Sequence, residues 1–196
     1  MRPYRRLRVR CFLREDQIDE GRVANFPDAS KVLASKVDLA WPRTDLYGLL
    51  WQHAANIEDP SAQAFREMAR SHRVILSPVS AGDIEVWRMS SDGSPGDPQR
   101  ELFHTLTGDW MGTDRRRGFP YTWIPSHLAD AHGRTSPRTF LAALKKAAED
   151  TRQRYPDHPR VLNHESIKRG VQEASTIRVR EVKEDHPWVD LLMKPS

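Results

Sequence analysis

The segment from Phe119 to Asp150 constrains the fold most strongly, because it contains two amphipathic stretches with a clear break between them. The pattern over Tyr121–Asp130 predicts a short helix, which Ala131-His132-Gly133 interrupts. Ser136-Pro137 is typical of a new helix start, since the serine hydroxyl can accept a backbone N–H and the proline lacks one. Apolar residues then recur at helical spacing, at Phe140, Leu141, Leu144, Ala147 and Ala148. We therefore predict a second helix over 136–150.

Helical spacing of apolar residues extends over much of the remaining chain. Thr44 is the expected N-cap of a helix whose buried stripe is Leu46, Leu49, Leu50, Ala54 and Ile57. A helix over 60–72 is expected to bury Ala64, Phe65, Met68 and Ala69. Further helices are predicted over 99–107 and onward from Asn163, an expected N-cap. Residues 176–185 fit a strand or a helix, and their interspersed charges favour a helix.

Strand signals are few. Apolar and mostly charged residues alternate over Leu7–Leu13, which predicts a strand, and the alternation in Lys36–Trp41 predicts another. The glycines and prolines between Val74 and Gln99 predict a loop that carries at most a small hairpin. The expected fold class is therefore mainly α with a small β component (α+β), in which two short strands precede a helical bundle.

Composition limits the kind of protein that this chain can be. Its 196 residues suffice for one domain or two small ones, and the net charge of +4 is mildly basic. This charge is lower than a dedicated nucleic-acid binder carries. The single cysteine, Cys11, excludes an internal disulfide framework and favours a reducing cytoplasm. No apolar run reaches the roughly 20 residues of a membrane span, so we expect no membrane partner.

Several catalytic and cofactor motifs are absent from the sequence. It contains neither the phosphate-binding loop of P-loop proteins nor the glycine-rich fingerprint of dinucleotide-binding folds. His127 and His132 lie five residues apart, which does not suit a pair of metal ligands on a helix. We therefore predict no catalytic residue, no metal site and no cofactor bound by this chain alone.

Arg138 is unusual, because it lies in the first turn of the predicted 136–150 helix. The helix dipole disfavours a cation there by roughly 0.3–1 kcal/mol. Two interpretations remain open: a solvated arginine whose stem covers apolar surface, or a side chain directed at an anion such as a nucleotide phosphate.

The break between the two predicted helices also fits a helix-turn-helix. In that alternative the protein is a DNA-binding regulator, with 136–150 as the reading helix. The cations that would contact nucleic acid are Arg115, Arg116 and Arg117 in the preceding loop and Lys145 on the helix. A solvated loop is the simpler interpretation of the three arginines.

Four stretches of the chain resemble the carboxyl part of the nucleotide-binding module in bacterial P-loop ATPases of the AAA+/STAND kind. They are VRCFLRED (Val9–Asp16), Asn25–Leu50, SPRTFLAALKKAAE (Ser136–Glu149) and Ser166–Val189. The first is similar to a core strand that ends in a sensor residue, and the third is similar to the sensor-2 helix. The resemblance implies that Arg14, Asp16 and Arg138 face a nucleotide phosphate.

The family's Walker A and Walker B segments have no counterpart here. The resemblance therefore implies that residues 1–41 are a remnant of an α/β nucleotide-binding core. Residues 42–196 would be a helical lid-type domain with a loop insertion at about 73–99. Such a non-catalytic lid or sensor module, a fragment or split-gene product, would act through a protein partner or the remainder of an ATPase. ATP would bind only with a complementing partner. A further alternative is a fragment that does not fold stably.

Overall fold

In the computed structural model the described residues are 29–34, 36–37, 39–89 and 96–185. The chain divides into two compact units, residues 1–39 and 40–196. In the first unit, Ala29–Ala34 form helix α1. The predicted strand over Leu7–Leu13 lies outside the described residues, so the interpretation of 1–41 as a nucleotide-binding remnant stays a prediction.

The second unit is mainly α with a small β component, which confirms the predicted fold class. Its helices are α2 (Arg43–Ala55), α3 (Ser61–Ser71), α4 (Gly96–Thr107), α5 (Pro120–Leu128), α6 (Pro137–Arg154) and α7 (His164–Asp185). Strands β1 (Leu76–Ala81) and β2 (Ile84–Met89) form an antiparallel hairpin between α3 and α4. A single turn of 3-10 helix, Arg115–Arg117, precedes α5. Within the described residues, no helix combines the length and apolar character that a membrane span requires.

An aromatic cluster forms the centre of this unit. The Tyr47 ring on α2 lies 4.8 Å from the Phe103 ring, 4.2 Å from the Tyr121 ring and 5.0 Å from the Phe140 ring, measured between centroids. The Tyr47 hydroxyl donates a 3.0 Å hydrogen bond to the Tyr121 carbonyl oxygen, and the Trp51 indole N–H donates to Gln99 Oε1 at 3.2 Å. Because these polar atoms have partners, the large rings can be buried completely. One cluster thereby joins α2, α4, α5 and α6.

Helices α6 and α7 pack at unusually short range around Gly170. A Cβ atom at Gly170 would lie 2.3 Å from the Ala143 carbonyl oxygen and 2.9 Å from the Ala147 backbone nitrogen. Only a residue without a side chain allows this approach. Asp150 on α6 then accepts hydrogen bonds from Arg169 Nε and from Ser166 Oγ, at 2.9 Å and 2.7 Å.

The hairpin is attached to α2 by a side chain that imitates a neighbouring strand. Asn56, the residue after α2, accepts a hydrogen bond from the Trp87 N–H at 2.8 Å and donates one to the Trp87 carbonyl at 2.7 Å. Pro78 lies opposite Trp87 in the register and has no backbone N–H that could donate a hydrogen bond. The Arg66 guanidinium lies 4.6 Å from the centroid of the Trp87 ring. The hairpin falls within the stretch that the sequence predicted as a loop with a small hairpin.

Most helices were predicted within a few residues of their ends. The region 176–185 continues α7 as a helix, and Asn163 caps α7 by accepting the Glu165 N–H at 2.8 Å. Helix α6 starts after Ser136 as predicted, although the serine side chain makes no capping hydrogen bond. It ends at Arg154, four residues beyond the predicted end at 150.

Three local predictions were wrong. Residues 36–37 and 39–41 form no regular secondary structure, and Val37 and Leu39 are 78% and 73% exposed, so alternation there does not reflect burial in a sheet. Thr44 lies inside α2, whose N-cap position is Pro42. Ala64 is exposed, and Ala62 is buried in its place.

The buried face of α2 is also rotated relative to the prediction. Its buried residues are Leu46, Tyr47, Gly48, Trp51 and Ala55. The aliphatic positions Leu49, Leu50 and Ala54 are only partly buried, and Ile57 is 47% exposed beyond the helix end. Two aromatic rings with satisfied polar tips bury more apolar area than the leucines that the stripe favoured.

Candidate functional site

The residues predicted to face a nucleotide phosphate are only partly within the described structure. Arg14 and Asp16 lie outside the described residues. Arg138 lies in the first turn of α6 and is exposed. The structure therefore places one of the three residues at a helix start on the protein surface.

Helix α6 carries a row of exposed cations. Arg138, Lys145 and Arg152 are spaced seven residues apart, which is about two helical turns, and all three are exposed. Arg152 was not among the predicted site residues, although the seven-residue spacing was visible in the sequence. The opposite face of α6 is buried through Phe140, Ala143, Leu144 and Ala147. This row is named the α6 cation row below.

The other predicted cations lie together on one turn. Arg115, Arg116 and Arg117 form the 3-10 turn, and each is exposed. Within the described part of the chain, none of these three side chains forms an ion pair or a side-chain hydrogen bond. The one acidic residue between 111 and 118 is Asp114, and its Oδ1 accepts the Arg116 backbone N–H at 2.8 Å. Its carboxylate therefore caps the turn and, among the described residues, makes no direct ion pair with an arginine side chain.

Residues 111–118 form a closed surface loop, called the arginine loop below. The Met111 N–H donates a 2.8 Å hydrogen bond to the Gly118 carbonyl, which brings the two ends together. Gly118 has a positive φ of 85°, and Gly112 has one of 153° with a Cβ position only 3.0 Å from Arg117 Cγ. Both positions favour glycine for its backbone freedom. The arginines are thus held on a loop of defined shape.

Aromatic side chains surround the base of the arginine loop. Trp110 and Phe119, the residues on either side of it, are partly buried and their ring centroids lie 4.8 Å apart. Gly118 lies beside Trp123, whose Cδ1 is 3.7 Å from the position of a Cβ at that glycine. The exposed ring of His127 stacks on Trp123 at 3.8 Å. Trp123 itself also packs against the buried core of this unit.

A separate polar cleft of about 380 Å³ lies at the carboxyl end of α4. It is lined by Glu101, His104, Thr105, Asp109 and Arg160. Burial lowers the pKa of His104, and Asp109 partly offsets this shift, so the imidazole is neutral at pH 7. Its Nδ1 is 3.6 Å from Asp109 Oδ1, too long for a hydrogen bond. Within the described residues, the His104 imidazole and the Asp109 carboxylate are therefore close but not hydrogen-bonded to each other.

The polar side chains of this cleft instead close the end of a helix. Arg160 Nη1 donates to the His104 carbonyl at 2.5 Å, and the Leu162 N–H donates to the Leu106 carbonyl at 3.0 Å. A cation is favourable at a helix C-terminus. Thr105 Oγ1 is already bonded to the Glu101 carbonyl and to His72. Among the described residues, moreover, no group of three histidine, cysteine or acidic side chains could hold a metal ion.

The connection between α5 and α6 differs from that of a standard helix-turn-helix. It spans residues 129–136, eight residues, whereas the DNA-reading motif uses about three or four. Asp130 Oδ1 accepts the backbone N–H groups of His132 and Arg134, both at 2.9 Å, and Thr135 Oγ1 donates to the Pro125 carbonyl. The connection is thus a folded loop with its own hydrogen bonds.

Comparison with known proteins gives no match: no family model fits the sequence, and neither a curated protein nor a solved structure is significantly similar to it.

Proposed function

We propose that this chain is a non-catalytic helical binding module, and that its partner carries phosphate groups. The observation that supports this most directly is the set of exposed arginines on the arginine loop, which lack carboxylate partners among the described residues. The α6 cation row adds Lys145 and Arg152, which also form no ion pair within the described structure. Guanidinium groups bind phosphate oxygens in a bidentate manner, so they suit such a partner. The single cysteine favours a cytoplasmic location.

The first form of this proposal is the lid-type module that the sequence resemblance implies. Arg138 would approach a nucleotide phosphate that is held mainly by a protein partner, because this chain has no phosphate-binding loop of its own. Its exposed position at the start of α6 supports that role. Arg14 and Asp16 would complete the set.

Nucleotide titration of the purified chain tests the lid-type form. We expect no micromolar affinity for ATP with magnesium in isothermal titration calorimetry, since one arginine cannot replace a phosphate loop. Micromolar binding by the isolated chain would contradict the dependence on a partner. If such binding occurred, Arg138→Ala would show whether this residue contributes, with Arg70→Ala on the exposed surface of α3 as the control.

The second form is a nucleic-acid-binding module, and the arginine loop favours it. Three exposed cations within one turn give a local positive charge that the mild net charge of the chain does not reveal. Binding to the phosphate backbone releases counterions and must therefore weaken steeply as salt increases. Fluorescence anisotropy with a labelled oligonucleotide at increasing salt concentration tests this form. Flat salt dependence would exclude it.

A further inference from the structure

We infer that the arginine loop and the aromatic rings at its base form a binding site for single-stranded nucleic acid. The inference rests on the nucleic-acid form of the proposed function and specifies which form of nucleic acid is bound. It follows from three features of the described residues: arginines that form no ion pair there, neighbouring aromatic rings, and a connection before α6 that is longer than the turn of a duplex-reading motif.

The charges suit a phosphate backbone. Arg115, Arg116 and Arg117 lie on a loop with closed ends, so their backbones are already ordered before a ligand arrives. Their guanidinium groups keep a fixed charge at any physiological pH and can both bind phosphate and stack on bases. The Asp114 Oδ1 accepts the Arg116 backbone N–H, which fixes the turn from which the three guanidinium groups extend.

The rings suit unstacked bases. His127 is exposed and already stacks on Trp123 with an interplanar angle of 21°, so its outer face continues an existing stack. Trp110 and Phe119, which flank the arginine loop, contact each other at the same base, with ring centroids 4.8 Å apart. A base in a duplex keeps both its faces inside the stack, whereas a single strand offers them to aromatic side chains. Cations next to partly exposed rings are the combination that single-strand binding requires.

The surrounding structure argues against the two main alternatives. Duplex reading would require α6 to be presented by a short turn, and the 129–136 connection is a longer folded loop. A loop that binds an anionic membrane surface usually also carries exposed apolar side chains that insert into the bilayer. The arginine loop has one apolar side chain larger than glycine, Met111, which is 1% exposed.

The experiment compares two charge-matched triple variants of the full chain. One is Arg115→Ala/Arg116→Ala/Arg117→Ala, and the other removes three exposed arginines elsewhere, Arg70→Ala/Arg88→Ala/Arg180→Ala. Affinity for a labelled oligothymidine of about 15 nucleotides is measured by anisotropy between about 50 and about 200 mM salt. A duplex of the same length, phosphatidylserine vesicles and polyglutamate are the comparison ligands.

We expect the strand to bind more tightly than the duplex, the vesicles and polyglutamate. The arginine-loop variant should lose at least about tenfold in affinity, and its salt slope should decrease by about 2, because each phosphate contact to a single strand contributes about 0.7. The control variant should lose less than about threefold. His127→Ala should weaken strand binding roughly fivefold without changing the salt slope, because it removes stacking rather than charge.

The outcomes separate the inference from the proposed function. Equal or tighter binding of the duplex, with the same dependence on the arginine loop, would overturn the single-strand inference and leave the nucleic-acid form intact. Tighter binding of vesicles or polyglutamate would overturn both. Equal losses in the two triple variants would show that net charge, and not this site, governs binding, which also overturns the inference. Absence of binding to every oligonucleotide at low salt would remove the nucleic-acid form itself.

Discussion

The α6–α7 helix pair and the arginine loop use the same residue type in opposite ways. In the helix pair, Arg169 and Arg154 both bind Asp150, at 2.7 Å and 2.8 Å, and hold neighbouring parts of the chain together. In the arginine loop, three arginines lie next to an aspartate that is already engaged by the backbone. The position of one carboxylate therefore decides whether an arginine is held in an ion pair within the fold or, among the described residues, is left for a partner.

The two regions also differ in what stabilises them. Ion pairs at a protein surface contribute about 0–1 kcal/mol each, so the helix pair depends mainly on close packing around Gly170 and on Phe140 in the aromatic cluster. The arginine loop has no such packed centre of its own and is shaped by backbone hydrogen bonds and glycines. Substitutions should therefore act on stability in the first region and on binding in the second.

The largest effect is expected for Phe140→Ala. Phe140 is completely buried, and its ring packs edge-on against Tyr47, which joins α6 to the aromatic cluster. Removing the ring leaves a cavity at this junction. We expect a loss of about 3–5 kcal/mol in the free energy of unfolding, measured by urea denaturation. Phe140→Leu, which keeps most of the volume, should lose considerably less. A loss below about 1 kcal/mol for the alanine variant would break the claim that α6 is held by the core.

Gly170→Ala tests the close approach of the helices. Helix propensity alone would make alanine more stable by about 0.5–1 kcal/mol. The new Cβ would, however, lie 2.3 Å from a backbone oxygen that no side-chain rotation can move away. We therefore expect a net loss of about 2 kcal/mol or more, seen as a lower midpoint of urea denaturation.

Gly48→Ala on α2 is the matched control for this change. Its Cβ would meet the flexible end of Met89 at 3.2 Å, and that side chain can move. We expect a change within about 1 kcal/mol. Equal losses of stability in the two glycine variants would show that a rigid backbone neighbour at Gly170 is not the cause of the destabilisation.

Asp150→Asn addresses the ion pairs of the helix pair. Hydrogen bonds from Arg169, with a smaller contribution from Ser166, lower the pKa of Asp150 in the folded state. A lowered folded pKa means that the stabilisation is present at neutral pH and is lost as the pH falls through that pKa. We expect the variant to be less stable by about 1 kcal/mol at pH 7.

The pH dependence supplies the control for this prediction. The difference between Asp150→Asn and the unchanged protein should shrink when urea denaturation is repeated well below the ordinary aspartate range of about 4. A difference that is the same at both pH values would mean that the ion pairs are not its cause.

The smallest effect on stability is expected for the triple change Arg115→Ala/Arg116→Ala/Arg117→Ala. These side chains are exposed and lack partners among the described residues. The free energy of unfolding should therefore change by no more than an ordinary surface substitution causes, about ±0.5 kcal/mol. A large loss, measured by differential scanning calorimetry, would assign the arginines to the fold and erase the contrast with the helix pair.

Much of the fold could be predicted, because the helices of this chain are marked by local apolar spacing and capping residues. The spacing of Leu102, Phe103 and Leu106 and the capping residue Asn163 indicated α4 and the start of α7 within a few residues. The alternation of apolar and polar residues over 36–41 gave a wrong prediction, because a period of two forms a strand only where a sheet buries one face. Val37 is exposed instead. The face of α2 was misjudged because leucines were given more weight than aromatic residues.

The candidate site was predicted less well. The adjacent arginines are visible in the sequence. Whether a carboxylate pairs with them depends on where distant acidic residues lie, and none does so among the residues that the structure describes. Arg152 could have been found from its spacing with Arg138 and Lys145. The neighbourhood of Trp123, His127 and Gly118 could not, since it depends on how the loop closes onto α5.

The helical class, most helix limits and the glycine-marked breaks can be predicted from the sequence alone, because they depend on spacing and capping over a few residues. The tertiary structure was needed to show which described arginines are paired, which aromatic rings stack on one another, and why Gly170 tolerates no side chain. Those properties depend on distances between residues far apart in the chain, which local periodicity does not encode.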